Sequence, residues 1–153
     1  MNHLLLHNFI LIFMELTVDQ ALQQGVAAHK AGNLKEAEKL YRAILNTTKN
    51  HPDANHNLGV IVTSRDGSAA ALTLFETALE SNSKVEQFWF SYIDALIKEK
   101  QFDNARDIIE QAKKQGVGGE LFHALEKQLD SINQQEIISH LSPSQNQLNN
   151  LLE

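Results

Sequence analysis

The chain has 153 residues, enough for one domain with a sizeable buried core. Seven Gly and two Pro favour helices over strands and turns, and a net charge of −6 argues against a nucleic-acid backbone as partner, which needs a basic face. With no cysteine there can be no disulfide, thiolate metal site or cysteine nucleophile, and cytoplasm is the default expectation for the compartment.

The first stretch, MNHLLLHNFILIFMEL, is the most apolar part of the chain. Its apolar run is shorter than the roughly 20 residues that span a bilayer. It also lacks the positive n-region and small-residue cleavage site of a signal peptide. Residues 1–16 therefore read as an apolar extension that packs on the helices that follow or on a second copy. A signal peptide or membrane-surface anchor is the alternative. Met14 begins a sequence that makes sense as a natural start, which would leave residues 1–13 peripheral to function.

Helical spacing begins with QALQQGVAAHKAG, where Ala21, Val26, Ala27 and Ala28 recur on one side. In LKEAEKLYRAIL, the residues Leu34, Ala37, Leu40, Tyr41, Ile44 and Leu45 form an i, i+3, i+4, i+7 stripe. Gly32-Asn33 between them supplies a chain reversal, as do Asp66-Gly67 and Lys100-Gln101 in the next two units. After Gly118-Gly119, ELFHALEKQLDSI predicts a seventh helix with Leu121, Phe122, Leu125 and Leu129 on its apolar face. The polar NQQEIISHLSPSQNQ reads as a loop or linker. Ser144 with Gln147 makes a capping-box pattern, and Leu148, Leu151 and Leu152 begin a further helix. The expected organisation is an extension over 1–16, a helical domain over 17–131, and a linker with the start of another helix over 132–153.

The units repeat. Ala37, Ala71 and Ala105 stand 34 residues apart, each followed four residues on by a large apolar side chain, Tyr41, Phe75 or Ile109. Ile44, Ala78 and Ala112 come three residues later still. Upstream, Gly25 and Gly59 keep the same spacing, with Ile93 in the third position, and Trp89 opens the third unit. These residues resemble the tetratricopeptide repeat, W-x2-L-G-x2-Y followed by A-x3-F over 34 residues, as three consecutive copies over about 18–117. The tryptophan position holds Ala21, Asn55 and Trp89, while Lys49, Ser83 and Val117 stand where the closing proline belongs. The resemblance implies an all-α, right-handed solenoid of three helix-turn-helix repeats, with the seventh helix capping the last stacking surface.

It also implies a concave groove lined by the first helix of each repeat. Carried onto this chain, the inward positions are Asp19, Leu22, Val26, His29 and Lys30 in repeat one. Repeat two offers Asp53, His56, Asn57, Val60 and Thr63, and repeat three offers Gln87, Phe90, Ser91, Asp94, Ile97 and Lys98. This mixed lining suits a helix or extended peptide held by apolar anchors and side-chain hydrogen bonds. Some family members grip a C-terminal carboxylate with a Lys, Asn, Asn, Lys, Arg clamp. The matching residues here are Leu22, Val26, Asn57, Gln87 and Ser91, so only Asn57 agrees and every cationic position is lost.

Seven histidines prompt a search for metal or catalytic chemistry. His3 and His7 have i, i+4 spacing but no third ligand nearby, and His51 and His56 flank a Pro-Asp turn at a poor spacing for shared ligation. His29, His123 and His140 are isolated. No zinc-protease, nucleophile-elbow, phosphate-loop or dinucleotide motif is present. The expectation is no enzyme and no metal or other cofactor. A protein or peptide is the expected partner, with neither nucleic acid nor membrane, and homo-oligomers could form through the N-terminal segment or terminal helix. Two further readings stand beside this. The polar tail resembles the start of a second repeat array in long bacterial proteins, making the chain a substrate-selecting segment of a larger glycosyltransferase or sulfotransferase. Alternatively, the chain is a self-assembly scaffold.

Overall fold

The computed structural model describes the backbone of residues 16–149 and the side chains through residue 138, Glu136 excepted. Seven helices and no strand occur among them: α1 (Val18–Lys30), α2 (Leu34–Thr47), α3 (Pro52–Asp66), α4 (Ser68–Ser81), α5 (Glu86–Lys98), α6 (Phe102–Lys114) and α7 (Glu120–Asn149). This is an all-α solenoid of helical repeats. The three hairpins are α1–α2, α3–α4 and α5–α6. By contact, the chain divides between Asn82 and Ser83 into two compact units.

In the first unit, glycine lets paired helices touch. A Cβ on Gly25 would lie 2.7 Å from Tyr41 Cε1, and one on Gly59 would lie 2.7 Å from Phe75 Cε1. Each helix therefore presents bare backbone to an aromatic ring on its partner, at equivalent places in the two hairpins. Tyr41 and Phe75 are buried as a result. The third hairpin fills the equivalent positions with Ile93 and Ile109, both buried. Two medium side chains there replace one absent and one large, conserving volume as close packing requires. Ala37, Ala71 and Ala105 are fully buried in the second helix of each pair.

The reversals use one geometry twice. In the first turn Gly32 has φ +77, and the Asn33 amide donates to Ala28 O at 2.9 Å. In the third, Lys100 has φ +57 and the Gln101 amide donates to Leu96 O at 2.9 Å. Both satisfy a helix-end carbonyl by a left-handed residue, which glycine adopts freely and lysine does not. The second turn is shorter: α3 runs through Asp66, and Gly67 alone both ends α3 and precedes α4. Between hairpins of the first unit, Arg65 on α3 reaches Glu38 on α2 at 2.6 Å while pairing with Asp66 at 2.7 Å. Hydrogen bonds from Arg42 and Arg65 hold the Glu38 carboxyl below its ordinary pKa.

In the second unit α7 packs on the α5–α6 pair through Phe122, Leu125 and Leu129, all buried. Lys113 on α6 joins Glu110 at 3.0 Å and bridges across to Glu126 on α7. Two expectations need correction. Leu121 is 48% exposed. It lies about 100° around the helix from Phe122, off the i, i+3, i+7 line that meets the core. Residues 132–147, expected as a linker, continue α7 to Asn149, so a boundary at 131/132 falls inside a helix. Polarity, together with Pro143, suggested a loop, but the Gln, Glu and Leu residues of the segment accept helical geometry readily and the helix runs on past the proline. Residues 1–15 and 150–153, which include the apolar stretch, the His3–His7 pair and Leu151–Leu152, lie outside the described residues.

Candidate partner-binding face

The first helices acquire their positions from caps that the sequence encodes locally. Thr17 and Gln20 form a reciprocal capping box at the start of α1: the Gln20 amide donates to Thr17 Oγ1 at 3.2 Å and the Thr17 amide to Gln20 Oε1 at 3.0 Å. His51 caps α3, its Nδ1 accepting from the Ala54 amide at 3.3 Å, with Pro52 at the first helical position. The spacing of His51 and His56 is thereby explained without a metal, since one ends a loop and the other lies inside the helix.

Asn55 was legible only as a mismatch at a tryptophan position, yet it performs the same task as Trp89. The Trp89 indole N–H donates to Ser83 O at 2.8 Å. Thirty-four residues earlier, Asn55 Nδ2 donates to Lys49 O at 2.8 Å and to His51 O at 3.0 Å. Both side chains are buried, and each ties the loop before a first helix to the body of that helix. The signal available in sequence was chemical: indole and carboxamide share an N–H donor.

On α1, the i, i+4, i+7 residues Leu22, Val26 and His29 occupy one face, each half-buried, while Asp19 is exposed at its start. On α3 the equivalent line is His56, Val60 and Thr63; Val60 is 37% exposed, His56 is buried, and Asn57 beside it is half-buried. Helices α1 and α3 touch, and the His29 and His56 charges interact. Beneath them lie aromatic rings: His29 meets Tyr41 edge-on at 6.3 Å between centroids, and His56 is tilted against Phe75 at 5.8 Å. Burial pushes the His56 pKa down. A hydrogen bond with Asn57 and the charge of Asp53 oppose that shift, and His29 adds to it. The face thus offers aliphatic patches with hydrogen-bonding groups between them.

In the second unit, α5 carries the remaining predicted residues. Gln87 is exposed and donates to Ser91 Oγ at 3.3 Å. Asp94 is half-buried and accepts from Lys98 Nζ at 2.6 Å. Phe90 is half-buried, whereas Ile97 is only 4% exposed and belongs to the core. Among the described residues no group of three or more His, Cys, Asp or Glu could hold a metal ion, and no helix is long and apolar enough to cross a membrane.

Comparison with known proteins agrees with this architecture. A family model described as tetratricopeptide repeat matches residues 68–129. Among solved structures, the Sgt2 tetratricopeptide domain from Aspergillus fumigatus superposes with TM-score 0.67 at 16% identity, covering 78% of this chain and 80% of that one. The type III secretion translocator chaperone SycD of Yersinia enterocolitica gives TM-score 0.66 at 15% identity, covering 83% and 92%. SycD in complex with a peptide of the translocator YopD gives 0.61 at 14% identity, covering 80% and 94%. No curated protein matches significantly in sequence. The family match spans fewer than half of the residues, and the solved structures show that the chain shares the tetratricopeptide-repeat fold.

Proposed function

We propose that the protein is a non-catalytic interaction module whose first helices receive a helical or extended peptide of a partner protein. The observation that carries this reading is the α1–α3 face. Val60 stays 37% exposed beside half-buried Leu22 and Val26, with Asn57 and His29 supplying hydrogen-bonding groups among them. A partly open aliphatic line beside hydrogen-bonding groups is the mixture that peptide recognition uses. One neighbour in fold, SycD, was solved with a peptide of the translocator YopD, which supports a protein ligand. On α5, Gln87, Phe90, Ser91 and Asp94 contribute contacts of their own.

Affinity capture from the source cell tests the reading. Val60→Asp combined with Asn57→Ala abolishes capture of the partner, because Val60 is exposed and Asn57 presents a hydrogen-bonding group beside it. Thermal unfolding of this variant falls by no more than about 1–2 kcal/mol, the cost of the Asn57–His56 hydrogen bond and a substitution on a partly exposed position. Undiminished capture by the variant would refute the site, and a loss of several kcal/mol would make these residues structural.

A second reading, self-association, is favoured by Ile137 and Ile138, which are 51% and 65% exposed on α7. Light scattering on Ile137→Glu/Ile138→Glu against the parent decides it: an unchanged monomer mass in both removes that reading.

A further inference from the structure

We infer that the segment received by the α1–α3 face carries a Lys or Arg about 10 Å from an aliphatic anchor, the cation over Asp19 and Asp53 and the anchor between Val26 and Val60. The inference rests on the reading of this face as a binding face and names the chemistry of what binds there. Asp19 and Asp53 stand 34 residues apart, and so do Val26 and Val60. Each pair therefore occupies equivalent places on two first helices that touch. Seven residues, two helical turns, separate acid from valine in both, so the two side chains lie on one line about 10 Å apart. An acidic rung thus stands next to an aliphatic one.

Both acids are exposed, and neither pairs with a Lys or Arg among the described residues. Asp53 lies on the side of α3 that carries His56, whose ring feels its charge. A first-turn acid suits the dipole of its own helix, which accounts for the sign at either position. The dipole gives no reason for a partly open valine seven residues further on in both helices. Carboxylates at equivalent places on neighbouring helices repel each other, and a cation laid between them is drawn by both and relieves that repulsion. At the other end of the face Lys30 ends α1 on the line of Asp19 and Val26, so the charges also fix which way the segment runs. Helix α5 breaks the pattern, with Gln87 and Asp94 in the two places. In a helical segment the cation falls about seven residues from the anchor, and in an extended one about three.

Panning a random peptide-display library on the full chain tests this. Peptides retained by the parent should carry Lys or Arg at one of those two offsets from Leu, Ile or Val. On the Asp19→Lys/Asp53→Lys variant the same offset should select Asp or Glu, with the aliphatic residue kept. Glu80→Lys/Asp107→Lys changes the net charge equally at exposed sites elsewhere and should leave the basic preference intact. A peptide selected by the parent should bind the milder Asp19→Asn/Asp53→Asn variant about 3–30-fold more weakly in fluorescence anisotropy, as two exposed charge contacts imply, and the difference should shrink at high salt. A basic preference that is missing, or that survives Asp19→Lys/Asp53→Lys, overturns the inference, as does unchanged affinity in the asparagine variant. Loss of the preference in Glu80→Lys/Asp107→Lys also overturns it, by making net charge alone the cause. If the retained peptides still depend on Val60, tested with Val60→Asp, only the cation has failed and the proposed function stands. If retention is indifferent to Val60→Asp as well, the reading of the face has failed with it.

Discussion

Gly59→Ala isolates the packing principle of the first unit. On helix propensity alone the change should stabilise α3 by about 1 kcal/mol, because alanine is the better helix former. The structure predicts the opposite sign. The new methyl would lie 2.7, 2.9 and 3.1 Å from Cε1, Cδ1 and Cζ of Phe75, inside van der Waals contact with one whole edge of the ring. Phe75 is 3% exposed and backed by the His56 ring, so it cannot swing into solvent. Overpacking of this kind costs about 1–3 kcal/mol, and subtracting the propensity gain leaves a net loss of up to about 2 kcal/mol. For a chain of this size that lowers Tm by up to roughly 4–8 °C. Far-UV circular dichroism follows the melt, and the fluorescence of Trp89, the single tryptophan, reports the second unit separately. Gly118→Ala is the internal control: nothing lies within 4 Å of its Cβ, so it should be neutral or slightly stabilising. Phe75→Leu should cost less in the Gly59→Ala background than alone, the coupling expected of residues in contact. A Gly59→Ala protein that melts at or above the parent temperature, or strict additivity with Phe75→Leu, would refute the steric argument.

Three further outcomes follow from the geometry. Lys100→Gly should raise stability by about 0.5–1 kcal/mol in denaturant melts, because a left-handed lysine carries strain that Gly32 avoids at the equivalent turn. Asn55→Ala should cost about 1–2 kcal/mol by the same assay, since it removes the donors serving Lys49 O and His51 O beneath α3. The third concerns pH. Burial lowers the folded pKa of His56, so the unfolded chain binds more protons once pH drops below its ordinary value of about 6.5. Its contribution is complete above that pH and is lost as pH falls through the folded value. Tm should therefore decline as pH falls below about 6.5, before the lowered carboxyls Glu38, Asp66 and Glu126 begin to take up protons. His56→Leu, matching Leu22 at the equivalent position of the first repeat, should flatten that slope. A slope unchanged in the variant places the titration elsewhere.

The sequence by itself determined the repeat and therefore the fold. Spacing of Ala37, Ala71 and Ala105 at one interval, with glycine or isoleucine upstream and a large side chain downstream, already specifies paired helices at close approach. Such positions are legible because helical contacts recur at fixed offsets and tolerate few residue sizes. The extent of α7 was not legible, since the polar composition of 132–147 is equally consistent with a solvated helix and a loop. The candidate face was read only as a set of positions. Which of them are open depends on neighbours distant in sequence: Val60 is exposed, Ile97 is buried, and His56 lies over Phe75, although all three come from the same family pattern. Likewise Asn55 looked like a defect until the fold placed its amide beside Lys49 O. Periodicity fixes which side of a helix turns inward. Only the packed partners decide how much of that side remains for another molecule.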